Sequence, residues 1–161
     1  MPSDAYILLA GVNGESQATG MTNNIELDSW SWGGANPASL GGKGLAAGKP
    51  AFSDFTCSFE LDAASFAIIA DMSKGTHIPS VTFTGRKTGG GGTPYNYLVI
   101  TMTNCFVTSF ATGGGSSGTP PASLSIAYEK IQYQYYTQDT TKGTVTLAGQ
   151  ATYDIKQVQS T

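Results

Sequence analysis

His77 is the only histidine of the chain. A catalytic or metal-binding imidazole needs companions, and the sequence holds neither CxxC nor HExxH. His77 follows a helical pattern in KGTHIP and reads as a turn residue. GGSSG at 114–118 matches G-x-S-x-G in letters, but a nucleophile elbow needs a helix after the serine. Thr119, Pro120 and Pro121 follow instead. GKGLAAGKP has the flavour of a phosphate loop with the wrong spacing, since position 43 is lysine and Pro50 replaces the serine or threonine. Glu26 and Asp28 are the one close carboxylate pair on a strand. They share a face and read as solvated, whereas an acid–base pair works across a cleft. No catalytic residue, metal or cofactor is expected, and the chain does not read as an enzyme. Cys57 and Cys105 read as buried free thiols, because nothing else points to an oxidising compartment.

The elements around these residues are mostly strands. Ala5 to Leu9 is a short apolar run, and Asn24 to Trp32 is an opening strand. Phe55, Cys57, Phe59 and Leu61 alternate with Thr56, Ser58 and Glu60, and Val81 and Phe83 with Thr82 and Thr84. Tyr95 to Met102 is apolar on both parities, which suits a strand covered on both faces. Cys105 to Ala111, Ser123 to Tyr136, Thr144 to Ala148 and Ala151 to Lys156 complete the set. One helix interrupts them over about 62–74, with Asp62 as N-cap and Gly75 at the C-terminal stop. Phe66, Ile69 and Ala70 fall on one of its faces, widened by Ile68 and Met72. About eight strands and one flanking helix predict a mainly β fold, a closed or nearly closed barrel, in a single domain over 1–161.

Two strands lose step. In IELDSWSWGG the apolar residues move from the parity of Ile25 and Leu27 to that of Trp30 and Trp32. In SLSIAYEKIQYQYY they move from Leu124, Ile126 and Tyr128 to Ile131, Tyr133 and Tyr135. A β-bulge would restore the face and bend the strand. The alternative is that both faces are buried, one by the core and one by a partner. Residues 33–50 hold six glycines and two prolines without periodicity, which predicts a long functional loop. Leu40 and Leu45 within it are more than a solvent loop requires.

Only 12% of the residues are charged, about half of the roughly 25% usual in globular proteins. The net charge is −3, with no basic stretch, so nucleic acid is not an expected partner. MPSDAYILLAGVNGES has no basic start and too short an apolar run for a signal peptide. No segment approaches a membrane span of roughly 20 apolar residues. The chain is expected to be made in the cytoplasm, without membrane insertion.

The order of motifs is specific. NGES at 13–16 precedes SWSWGG at 29–34 and a glycine-rich loop. AGKP, FTCSFELDAAS, SKGTHIPSVTFTGRKTGG and YLVITMTN follow, then VTSFATGGG and the long tyrosine-bearing strand. Over essentially the whole chain this resembles the haemolysin-coregulated protein family, Hcp, the tube protein of bacterial type VI secretion systems. The resemblance implies a barrel with one flanking helix and a homohexameric ring. It implies rings that stack into a tube, inside a sheath and below a spike. The tube is expelled, secreting the subunit without a cleavable leader, and the lumen can carry effectors. No cofactor and no catalysis are implied. The SWSWGGANP stretch and the low charge depart from some relatives, and no fused C-terminal effector is expected.

On this resemblance Trp30, Trp32, Phe55 and Phe59 are expected in the barrel core. Ser29 and Ser31 are expected on the cargo-facing lumen wall, and Leu40, Lys43, Leu45 and Lys49 on a loop that stacks rings. The alternative is a small carbohydrate-binding β-sandwich with the tryptophans or tyrosines as sugar platforms.

Overall fold

The computed structural model describes residues 3–42, 44–89, 92–116, 118–139, 141–156 and 159–160. Lys43, one of the expected stacking residues, lies outside them. The described residues form, in order, β1 (Ser3–Leu9), β2 (Ile25–Leu27), β3 (Ser29–Ser31), β4 (Gly34–Ala35), β5 (Ala38–Gly41), β6 (Gly44–Ala47), β7 (Ala51–Phe52) and β8 (Phe55–Glu60). Then come α1 (Ala64–Lys74), β9 (Ile78–Thr88), β10 (Pro94–Thr112), β11 (Pro121–Gln138), β12 (Val145–Asp154) and β13 (Gln159–Ser160). The paired strands are antiparallel throughout.

The main sheet runs β13-β12-β11-β10-β9-β1-β2, and β8 lies between β11 and β3. It curls into a nearly closed barrel, because residues 25–31 serve both of its ends. Ile25–Leu27 pair with β1, and Ser29–Ser31 pair with β8. The first loss of step is therefore not a bulge. At Asp28 the chain changes partner strand, and its amide donates to Ser58 O at 2.8 Å. The tertiary pairing overrides the flat alternation that sequence implies.

The second loss of step has another cause. Thr103 faces Lys130 and Cys105 faces Tyr128 in unbroken register, so neither strand gains a residue there. Asn104 takes the left-handed conformation, φ 51°, which asparagine tolerates better than most residues. Two successive residue pairs then point outward on both strands, and Asn104 Nδ2 donates to Glu129 Oε2 at 3.2 Å. The bulges lie elsewhere, at Asn96/Leu98, Val107/Ser109 and Tyr135/Tyr136. β10 and β12 are each one strand where the sequence suggested two.

Phe55, Phe59, Phe83, Ile7, Leu9, Ile100 and Leu124 are fully buried in the core. Trp30 and Trp32 are half-buried and pack against it. The Trp30 ring meets Phe83 at 4.5 Å between centroids and lies nearly parallel to Phe55 at 6.0 Å. Such pairs add about 0.5–1.5 kcal/mol beyond the area they bury.

The helix starts as expected but faces otherwise. Asp62 Oδ1 accepts from the Ala64 amide at 2.9 Å, and Oδ2 from the Glu15 amide at 3.1 Å. At the far end Gly75 is left-handed, and the Gly75 and Thr76 amides return to Met72 O and Asp71 O, a Schellman stop. The buried face is Ala64, Ser65 and Ile68, with Ala67 and Met72 packed on the core. Phe66 is 82% exposed and Ile69 41%, contrary to the face read from spacing. The segment is apolar nearly all round, so periodicity cannot choose, and small residues win the face because they let the helix approach the sheet.

Two outcomes follow from this core. Phe83→Ala removes the ring wedged between Trp30 and Phe55, and should cost about 3–5 kcal/mol in urea unfolding. Burial pushes the thiols of Cys57 and Cys105 from an ordinary 9.0 up to about 12. Both should resist a thiol reagent until the protein is denatured. Because the folded values are raised, their contribution to stability is complete below about pH 9 and falls as pH rises toward about 12. A urea midpoint that held constant across that window would contradict the burial.

Candidate functional site

Strand alternation puts a field of hydroxyls on the outer face of the sheet. Phe55, Cys57 and Phe59 point inward from β8, so Thr56 and Ser58 point outward. Ser29 faces Ser58, and Ser58 faces Ser123; Ser31 faces Thr56, and Thr56 faces Ser125. Ser125 in turn faces Ser109 on β10. Directly opposed residues share a face, so seven small hydroxyl side chains from four strands form one wall. The Ser29 and Ser58 hydroxyls are hydrogen-bonded, and Thr56 Oγ1 lies 3.4 Å from Ser125 Oγ. None of the seven is ionisable, and each can donate or accept.

Sequence reasoning placed Ser29 and Ser31 on such a wall and missed Thr56, Ser58, Ser109, Ser123 and Ser125. The signal was present in FTCSFE and SLSI, but the pairing of β8 with both β3 and β11 could not be read from either stretch.

At one end the wall turns acidic. Glu15, Glu26, Asp28, Glu60 and Asp62 line a hollow of about 310 Å³ together with Ser16 and Leu61. Glu26 and Asp28 are exposed, as expected of a solvated pair. Among the described residues no group of three or more His, Cys, Asp and Glu side chains is placed to hold a metal. His77 is exposed beside the helix stop, edge-on to Phe106 at 6.2 Å.

Residues 33–50 are not a structureless loop. β4 pairs with β7, and β5 with β6, giving a β-hairpin on a short stem. One pair short of its tip, Leu40 stands opposite Leu45, 83% and 76% exposed. Lys49 is exposed near the stem. The root is fixed by hydrogen bonds: Trp32 Nε1 donates to the Tyr128 hydroxyl at 2.6 Å, which donates to Ser53 O at 2.8 Å. Ser53 also exchanges backbone and side-chain bonds with Gly33. Burial raises the Tyr128 hydroxyl's pKa, partly offset by the indole N–H it accepts, while Asp54 adds to the rise. The tyrosine therefore stays protonated and able to donate.

Both indoles are engaged within the chain. Trp32 stacks on Phe52 at 5.5 Å and on Tyr133 at 5.9 Å, as Trp30 does on Phe55. Rings held this way make poor sugar platforms, which counts against the carbohydrate-binding alternative.

Comparison with known proteins places this architecture. The family model described as "Type VI secretion system effector, Hcp" matches residues 6–135. Protein hcp1 of Pseudomonas aeruginosa (strain PAO1) is 31% identical over 146 residues, 88% of this chain and 90% of that protein. Among solved structures, Hcp1 from Salmonella typhimurium matches with a TM-score of 0.79 at 22% identity over 100% of both chains, a likeness of fold. A type VI secretion system effector from Yersinia pestis matches with a TM-score of 0.75 at 27% identity, over 94% of this chain and 99% of its own. The family match across most of the barrel, and the relative aligned along nearly its whole length, make this chain a member of the Hcp family of type VI secretion proteins.

Proposed function

We propose that the chain is a structural tube subunit of a type VI secretion system. Six copies close into a ring, rings stack into a tube, and the tube is expelled with effectors in its lumen. The partners on this reading are further copies of the chain, the surrounding sheath, the spike at the tip and the effectors. The subunit waits in the cytoplasm and leaves through the machine itself. It works through its surfaces and not through catalysis. Among the described residues no helix is long and apolar enough to cross a membrane.

The observation that carries the reading is β12. Every residue from Val145 to Ala151 is exposed, on both faces of the strand, and none is charged. An antiparallel strand in a self-sufficient domain buries at least one face. A strand with two bare, uncharged faces is what a ring protomer presents to its neighbours, since interface cores are depleted in charge. In the same arrangement the hydroxyl wall suits the lumen. It leaves room, bonds to either donors or acceptors and repels neither sign of charge. The exposed leucines of the hairpin suit the contact from one ring to the next.

Light scattering of the purified chain at micromolar concentration should give six times the 16.7 kDa protomer, and a monomer would remove the ring. Leu40→Asp together with Leu45→Asp should abolish tubes and leave hexamers intact. Burying each leucine contributes roughly 1.5–3 kcal/mol at most, and repetition around a ring decides between rings and tubes. Loss of the hexamer in that double variant would move the hairpin to the side interface.

For the lumen, Ser31→Gln puts a bulky amide on the wall. Rings of the variant should remain hexameric and retain less effector on co-purification. Equal recovery with intact rings would take Ser31 off the cargo surface.

A further inference from the structure

Two apolar hollows lie side by side where β11 meets β12. The smaller, of about 140 Å³, is lined by Trp32, Phe52, Ile131, Tyr133, Ala151 and Tyr153, with Thr152 at its edge. The larger and more open, of about 360 Å³, shares Tyr133 and Ala151 and adds Tyr135, Ala148, Gly149 and Gln150. Among the described residues no charged side chain lines either. Tyr153 is only 8% exposed, and its hydroxyl has no hydrogen-bond partner among the described residues.

The complement of this surface is on the same chain. Leu40 and Leu45 are directly opposed on one hairpin, so their side chains share a face with Cβ atoms about 5 Å apart. Two adjacent aliphatic knobs match two adjacent apolar hollows. The hairpin does not fill its own hollows: its stem is pinned at their rim by the Gly34–Phe52 and Ala35–Ala51 pairs and by the Trp32, Tyr128 and Ser53 bonds. Its leucines stay exposed. A knob and a hollow on different parts of one surface make a heterologous contact, and such contacts propagate open stacks when the rotation does not close.

We propose that the Leu40–Leu45 pair of one copy seats in the twin hollows of a second copy in the next ring. This rests on the reading of the hairpin as the ring-to-ring contact, and names its receptor. The hollow at the root of each hairpin thereby couples one stacking contact to the next. The Phe52 and Trp32 that wall the receptor also hold the knob the same subunit extends.

The test mixes two single variants, Leu45→Cys and Ala151→Cys, one of them mass-tagged, at concentrations where rings associate. The native cysteines are buried and do not compete. Mild oxidation should give the mixed covalent dimer, and Leu45→Cys mixed with Ser73→Cys, on the helix, should give none.

If the mixed dimer is absent while the Leu40→Asp, Leu45→Asp variant still loses tubes, the hairpin stacks rings through some other seat and this inference falls alone. Crosslinking of Leu45→Cys equally to Ser73→Cys also overturns it. Tubes that survive the double aspartate variant overturn the stacking reading as well.

Discussion

Seven residues, 25–31, carry the constraint on which the rest of the structure depends. They divide their pairing between the two ends of the curled sheet, giving β1 its partner with Ile25–Leu27 and β8 its partner with Ser29–Ser31. A sheet of this curl otherwise ends in two open edges, each with a row of unpaired amides and carbonyls. Changing partner at Asp28 satisfies both edges with a single segment. The change turns the inward side from the parity of Ile25 and Leu27 to that of Trp30. The indole then lands against Phe83 and Phe55, where aromatic contacts hold the join. The same turn sends Ser29 and Ser31 outward, in line with the hydroxyls of β8 and β11. Closure of the barrel and composition of the wall follow from one local event.

Charge is placed by the same logic. The wall and both faces of β12 from Val145 to Ala151 are uncharged, while Glu15, Glu26, Asp28, Glu60 and Asp62 collect around one hollow at the end of the wall. A solitary domain of this size would scatter charge over its exterior for solubility. Here the exterior is divided: a sheet extension without charge, a hydroxyl wall without charge, and an acidic end. On the proposed reading as a ring protomer this division is economical, because contacts between copies and a lumen lining are where fixed charge is least welcome.

Sequence alone made the strands, the helix ends, the buried thiols and the family legible, because each rests on short-range signals: alternation, a capping aspartate, a stopping glycine, ordered motifs. What it hid was everything set by which strand pairs with which. The slip at Asp28 looks the same on paper as the one near Asn104, yet the first exchanges partners and the second twists two strands together without changing register. The helix offered two apolar faces, and only the fit of Ala64 and Ala67 against the sheet decides between them. The glycine-rich 33–50 stretch lacks periodicity because its ladders are short, so it reads as loop and folds as a hairpin. The hydroxyl wall needs three strand pairings before Ser29, Ser58 and Ser123 become neighbours.

The two glycines after SWSW close the account of that motif. Gly33 donates its amide to Ser53 Oγ and accepts from Ser53 in return. At Gly34 a Cβ would collide with the Phe52 ring. Any larger residue there would push Phe52 off Trp32, and with it one wall of the apolar hollow. The run from Ser29 to Gly34 therefore does three jobs in succession. It completes the sheet, sets an indole against the core, and roots a hairpin whose leucines no described part of the chain covers. Each step fixes the geometry of the next. The rigidity of the Trp32–Tyr128–Ser53 chain is what lets a two-stranded hairpin, marginal on its own in water, hold an exposed pair of leucines in a defined place.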